Sequence, residues 1–452
     1  MSQRIHLDYA SSTPMLPEVK QAMAAALDEA GNPSSIHQAG QRAKQLLEQA
    51  RKQVAALINP STPPARLAPP NEAAGVARDS APRDVPAGLH VKPEEIYFTS
   101  CGTESNNWAI RGLLAANKRK GHSLDSGRRR ELEPSLGTPP HGPIRGAPHL
   151  IISAIEHPSI SLIARRLEVD GLATVTVLPV DPDGLIAPST LKALLTPQTA
   201  LVSVMLANGE VGTVEPIREL AAVAHEQGAF VHTDAIAAVG HLPVDVRALG
   251  VDALSLAANQ FYGPPGAAAL YVREGVRILP LLEGGGQEFG GRSGTEALPA
   301  IVGMGVAAEL RAEVVAKRQD PSQDFVARLS DLRDRLRDGL KERIEHVRFN
   351  GSWSARLPHN LHVCIDGVSS ESLVLGLDQA GIAAGLGSAC NSKAMRPSHV
   401  LKAMGLTDEQ AKGALVLSVG VPTTEEEIDR ALELIPQVVE RLRRVTTLTS
   451  RA

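Results

Sequence analysis

Four places along the chain put reactive side chains where the local sequence could use them. Cys390 lies in GLGSACNSK (385–393), with small residues before it and Lys393 after it. A thiol on such a loop can move, and a neighbouring ammonium favours the thiolate, the nucleophilic form. Its polar neighbours set it apart from a buried, inert cysteine. Gly102 and Thr103 follow IYFTS (96–100), where a strand feeds a helix. Backbone N–H groups and a hydroxyl at that point can hold a phosphate, although an ordinary helix cap uses the same residues. Asp234 ends the apolar run AFVHTDA (229–235), where a lone Asp more commonly caps a helix. His157, in SAIEHPSI (153–160), is on its own terms a satisfied core histidine.

These positions depend on a regular succession of elements. Short β-rich runs stand at 96–100, 149–155, 200–206, 229–235, 253–257 and 268–273. Helical patterns separate several of them; PIRELAAVAHEQG (216–228), for example, closes on Gly228. Such alternation predicts a mostly parallel sheet covered by helices, an α/β architecture. A second block begins near residue 300. It has a charged helix over roughly 320–345, a strand at 361–365, the helix SSESLVLGLDQAG, the strand LVLSV and a helix opening on TEEE, acids at the positive helix end. The expected organisation is an N-terminal arm (1–15), a large domain (16–300) and a smaller α+β domain (301–452) carrying the Cys390 loop. Two Pro-, Arg- and Gly-rich stretches, 59–92 and 117–148, are expected to be exposed insertions in the large domain.

Composition narrows the function classes. With 452 residues, 43% of them hydrophobic, the chain can bury more than one core. A net charge of −4 and only 3% aromatics argue against nucleic acid. No apolar run is long enough for a bilayer and no targeting leader is evident, so a cytosolic protein is expected. Three widely spaced cysteines make neither a disulfide framework nor a zinc pattern, and no metal is expected.

Several segments in order resemble the cysteine desulfurase and selenocysteine lyase family of fold-type-I, class-V aminotransferase-like proteins. They are LDYASSTP (7–14), GNPSSIHQAGQRAK (31–44), IYFTSCGTESNNWAI (96–110), SAIEHPSI (153–160) and VMLANGEVGTVEPI (204–217). HTDAIAAVGHLPVDV (232–246), FYGPPGAAALYVR (261–273), GGGQEFGGRSGTE (284–296) and GSACNSKAMRPSHVLKAMG (387–405) follow. Each is weak alone; the ordered set is specific and spares only the two insertions.

The resemblance implies a pyridoxal-phosphate protein that removes sulfur or selenium from cysteine or selenocysteine, with a persulfide on Cys390. It implies a homodimer and a sulfur-acceptor partner, such as an iron–sulfur assembly scaffold. In this framework Asp234 pairs with the pyridine nitrogen, a fixed charge that keeps the ring an electron acceptor. His157 stacks on the ring, Asn208 lies beside its phenolic oxygen, and Gly102, Thr103 and the partner's copy of Thr295 hold the phosphate. His232 and Asn259 join the cofactor contacts.

The chain departs from the family where the chemistry is most demanding. Gln260 stands in the place of the Schiff-base lysine. An amide can neither condense with the cofactor aldehyde nor take up the substrate Cα proton. Ala257 and Asn259 replace a Ser and a His, and Ala237 replaces a Gln. Val416 replaces the arginine that would clamp the substrate carboxylate; Val421 and Phe289 replace two more arginines. Cofactor binding is therefore expected to be weak and not covalent, and the chain to be catalytically dead or strongly impaired. A desulfurase with an unusual site, and a non-enzymatic scaffold or sulfur-relay protein, are the alternatives.

Overall fold

The computed structural model describes residues 4–29, 31–59, 90–117, 147–316, 324–386 and 397–449. Most of the two insertions, and Cys390 with its loop, lie outside the described residues. The strands in chain order are β1 (Ile5–Leu7), β2 (Ile96–Thr99), β3 (His149–Ser153), β4 (Thr174–Leu178), β5 (Thr199–Ser203), β6 (Phe230–Asp234), β7 (Ala253–Ala257), β8 (Ala268–Val272), β9 (Val347–Asn350), β10 (Asn360–Ile365), β11 (Ile382–Ala384) and β12 (Ala414–Ser418).

Seven of them form one sheet in the order β2-β8-β7-β6-β5-β3-β4. From β4 to β7 the neighbours are parallel; β8 and β2 complete the edge in antiparallel fashion. β3, β7 and β8 are buried along their whole length, as strands sandwiched between helical layers must be. This is the α/β, mostly parallel sheet of the fold-type-I expectation. The strand order reverses between β3 and β5, with β4 on one side and β5, β6 and β7 on the other, and a sheet of this kind collects ligands at the carboxyl ends of its strands.

A second, smaller body holds the antiparallel sheet β12-β10-β9 and the helices Phe325–Arg343, Ser370–Gln379 and Glu425–Thr449. Its core is built from Leu329, Leu336, Val363, Leu415, Ile428 and Ile435, together with Ile5 and Leu7 from the other end of the chain. β1 is bound there because it pairs in parallel with β11, Ile5 opposite Ile382 and Leu7 opposite Ala384. The helix Leu298–Ala316 instead packs on Pro17–Leu27 and Gln38–Leu57, in the core of the large sheet, so the packing changes partner after that helix.

Candidate active site

A cavity of about 470 Å³ opens at the carboxyl ends of the central strands, between the two bodies. Its floor carries a side-chain relay that joins three elements. Asp234, at the end of β6, accepts the Ile236 N–H at 3.0 Å through Oδ1 and the Asn106 Nδ2 amide at 2.7 Å through Oδ2. Asn106, on the helix Gly102–Asn117, also donates to Ser159 Oγ at 2.9 Å. Ser159 Oγ lies 2.8 Å from His157 Nδ1. His157 caps the helix Pro158–Val169, accepting the Ser159 N–H, and its ring faces the cavity. Burial pushes the Asp234 carboxyl above the usual carboxylate range, while the Ile236 N–H, the Asn106 amide and His157 act against that shift.

The helix Gly102–Asn117 begins at this cavity with Cys101, Gly102 and Thr103 in its lining. First-turn N–H groups have no carbonyl within the helix to bond, so this end offers donors to an anion. Gly102 is demanded by packing: a Cβ there would fall 2.2 Å from Ile236 Cδ1.

Asn208 lines the cavity with its amide fully engaged. Oδ1 accepts the N–H groups of Glu210 and Val211, and Nδ2 donates to Ile155 O and Met205 Sδ. An amide offers two acceptor and two donor positions, so this side chain holds its own turn.

On the opposite wall Gln260 ends a short 3₁₀ turn after β7. Its Nε2 donates to Ala10 O at 3.2 Å and to Ser11 O at 3.0 Å, pinning the N-terminal arm across the cavity. The same arm is tied by Thr13, whose N–H and hydroxyl both donate to Asn259 O at 2.8 and 2.9 Å. Tyr262, in a left-handed backbone conformation (φ 69°), is locked by the Thr13 hydroxyl on its N–H and the Val421 N–H on its phenol oxygen. Val416, on β12, presents its side chain to the cavity while its backbone exchanges hydrogen bonds with Gly385 at 2.9 and 3.0 Å. Ala237 and Ala257 complete an apolar stretch of lining.

Of the residues singled out in the sequence, Gly102, Thr103, His157, Asn208, Asp234, Asn259, Gln260 and Val416 come together around this one cavity. His232 does not reach it and is corrected to a core residue. Its ring lies buried between Ser203 Oγ at 2.9 Å and Ser255 Oγ at 3.0 Å, and burial pushes its pKa down to about 3. Thr295 is exposed and outside the lining. Phe289 is also outside it, packed edge-on against Tyr97 beside the buried Arg51–Glu288 pair.

Sequence reading missed the cavity's acids. Asp8, Glu156 and Glu210 line it beside Asp234. Glu156 is fully buried; its Oε1 accepts the Ser153 hydroxyl at 2.6 Å and the Met205 N–H at 2.8 Å. Burial, reinforced by Asp234 and Glu215, pushes it up to about 8, and Glu210 is pushed by burial up to about 7. Glu156 directly precedes His157 in SAIEHPSI (153–160), and that adjacency was the available signal. Among the described residues no cluster of His, Cys, Asp or Glu is placed to hold a metal ion, and no helix is long and apolar enough to cross a membrane.

With this geometry in hand, comparison with known proteins is consistent over the whole chain. The class-V aminotransferase family matches residues 5–64 and 139–431. A cysteine desulfurase IscS of Clostridium botulinum is 37% identical over 451 residues, covering 99% of this chain and 97% of that protein. A cysteine desulfurase IscS of Methanosarcina thermophila is 38% identical over 449 residues, covering 99% and 95%. Among solved structures, a NifS-like protein superposes with a TM-score of 0.76 at 28% identity, covering 97% of this chain and all of the other.

Proposed function

Since this chain belongs to the cysteine desulfurase family of the class-V aminotransferases, we propose that it is a desulfurase-type protein with a disabled site, releasing sulfur from cysteine, or selenium from selenocysteine, at or near background. The observation that carries this reading is Gln260, whose amide nitrogen is bonded to the backbone of Ala10 and Ser11.

The family's cofactor is pyridoxal phosphate, which when bound supplies an electron sink for charge at the substrate Cα. The residues present fit part of it. Asp234 would pair with the ring nitrogen, His157 would lie against the ring, and the start of the helix Gly102–Asn117, with Thr103, would receive the phosphate. They do not fit its aldehyde: Gln260 has no amine to attach, and among the described residues lining the cavity none is a lysine. Asn208 is taken up by its own turn, and Ala257 and Ala237 offer no polar contact. Val416 offers a substrate carboxylate neither charge nor hydrogen bond. The decisive experiment is an absorbance scan with added pyridoxal phosphate, followed by borohydride reduction and peptide mass mapping. We expect no pyridoxyl adduct; an adduct on any lysine of the cleft would sink the reading.

The protein so proposed is a cytosolic homodimer, Thr295 of each copy reaching the other's phosphate site, and light scattering that shows only monomer at micromolar concentration would count against it. In this state it serves as a scaffold, with a sulfur-acceptor protein as its partner class. The second reading is a sulfur relay through Cys390, which needs a mobile thiol but no bound cofactor. A persulfide on Cys390 after incubation with a sulfane-sulfur donor, without cofactor, would favour it.

A further inference from the structure

His157 meets the cavity through a ring whose two nitrogens are not equivalent. Nδ1 lies 3.2 Å from the Ser159 backbone nitrogen, whose N–H closes the cap of the helix Pro158–Val169. A backbone N–H can only donate, so Nδ1 carries its lone pair and not a proton. The Ser159 hydroxyl lies closer, at 2.8 Å from the same nitrogen. Facing a lone pair, that hydroxyl gives its hydrogen to Nδ1. Asn106 secures the direction. Its Nδ2 is 2.7 Å from Asp234 Oδ2 and 2.9 Å from Ser159 Oγ, one hydrogen for each. Asp234 Oδ1 takes the Ile236 N–H at 3.0 Å, and Oδ2, an acceptor, decides which way round the Asn106 amide sits. The amide thus fills a lone pair of Ser159 Oγ and leaves the hydroxyl hydrogen for the ring. Asn106 and Ser159 are buried, whereas His157 is exposed. A neutral imidazole has one donor nitrogen and one acceptor nitrogen. With the acceptor taken up by the floor, the proton sits on Nε2.

We propose that Ser159 and Asn106 are positioning residues that hold His157 as its Nε2–H tautomer, so that the ring gives the cavity a hydrogen-bond donor and takes no proton from a ligand. General-base work needs a lone pair within reach of the proton to be removed. Here the lone pair of the ring is turned to Ser159 and covered by two donors. The tautomer is set by the floor alone and is independent of the residue at position 260 and of any cofactor.

The test is nitrogen-15 NMR of the full chain, labelled in its histidine rings and without added cofactor, with His157→Asn identifying the signals. The spectra are taken at about pH 8, above the ordinary histidine pKa. We expect an unprotonated Nδ1 and a protonated Nε2. Ser159→Ala should bring in the Nδ1–H form, because only the longer cap bond remains. Ser159→Thr, which keeps the hydroxyl, should hold the single tautomer. The second readout is carbethoxylation by diethylpyrocarbonate, which attacks a ring lone pair, followed by peptide mass mapping. His157 should react about tenfold faster in Ser159→Ala than in the unmodified chain, the scale of one hydrogen bond, and Ser159→Thr should restore the slow rate. A protonated Nδ1 in the unmodified chain overturns the proposal. So does a Ser159→Ala variant with unchanged signals and rate, since the helix cap alone would then hold the ring, or equal acceleration in both Ser159 variants. The cofactor scan reads the disabled site separately. A pyridoxyl adduct with the tautomer intact would defeat the disabled-site reading and leave this proposal standing; no adduct with a protonated Nδ1 would do the reverse.

Discussion

The two sides of the cavity are built on different principles. On the floor, Asp234, Asn106, Ser159 and His157 form one continuous hydrogen-bonded relay, and each member also fixes a strand end or a helix start. On the wall, Gln260 bonds the arm and Val416 bonds nothing through its side chain. A group that serves both chemistry and architecture is expensive to replace, because its removal strands buried partners. A lysine or arginine that only reaches into a cavity can be exchanged without stranding any. On the proposed disabled-site reading, the difference between floor and wall follows from a fold that is kept and a reaction that is not.

The largest test of that contrast is to rebuild the wall. Gln260→Lys alone should leave sulfide release from cysteine far below an ordinary desulfurase rate, since a proton-transferring group is typically worth ~100- to 10,000-fold and the carboxylate clamp is still missing. Adding Val416→Arg should raise the rate, and Asn259→His should raise it further. An ordinary rate in the unmodified chain would erase the distinction between the two sides.

The floor can be probed by pH. Burial raises Glu156 from the ordinary carboxylate value to about 8, so the native state holds a proton that the unfolded chain gives up earlier. Its contribution to stability is present at low pH and is lost as pH climbs from about 4.5 to about 8. Glu156→Gln should flatten the urea-denaturation stability profile in that window, where one such group contributes a slope of up to about 1.4 kcal/mol per pH unit. An unchanged slope would mean that this carboxyl is already relieved by a partner.

Cutting the relay itself should cost less. Asn106→Leu leaves Asp234 Oδ2 and Ser159 without their shared donor, and we expect a loss of about 2 kcal/mol in chemical denaturation. The smallest effect belongs to the wall: Gln260→Ala removes two hydrogen bonds to the arm and should lower stability by about 1 kcal/mol, with faster amide exchange confined to residues near 10–13. If Gln260→Ala proved more damaging than Asn106→Leu, the wall would be the structural side.

Much of the fold was legible because it rests on periodic patterns. The β-rich runs at 149–155, 200–206, 229–235, 253–257 and 268–273 fall on β3, β5, β6, β7 and β8, and the charged helix expected over roughly 320–345 spans Phe325–Arg343. The eight residues that meet at the cavity were legible through ordered motifs, because strand ends and helix starts of a parallel sheet converge at one edge. His232 was misplaced for a related reason. Alternation puts it on the same face of β6 as Asp234, but only Asp234, at the carboxyl end of the strand, reaches the cavity, while His232 is taken up by Ser203 and Ser255. The acids sat inside the motifs, but their meeting did not show there. Asp8, Glu156 and Glu210 come from three distant segments, and nothing in a one-dimensional spacing reports that they share one desolvated space.

The pairing of β1 with β11 has a consequence for how the molecule is made. The two strands lie roughly 375 residues apart in sequence, so at about 5–20 residues per second the first waits about 20–75 s for the second to leave the ribosome. During that interval the central sheet can close, since all seven of its strands have already been synthesised. Residues 5–9 cannot settle, because their partner strand does not yet exist, while residues 10–13 are already held by Gln260, Asn259 and Tyr262. The start of the arm is therefore completed late, and a truncation before β11 should yield a chain whose central sheet resists protease while residues 5–9 are cut readily.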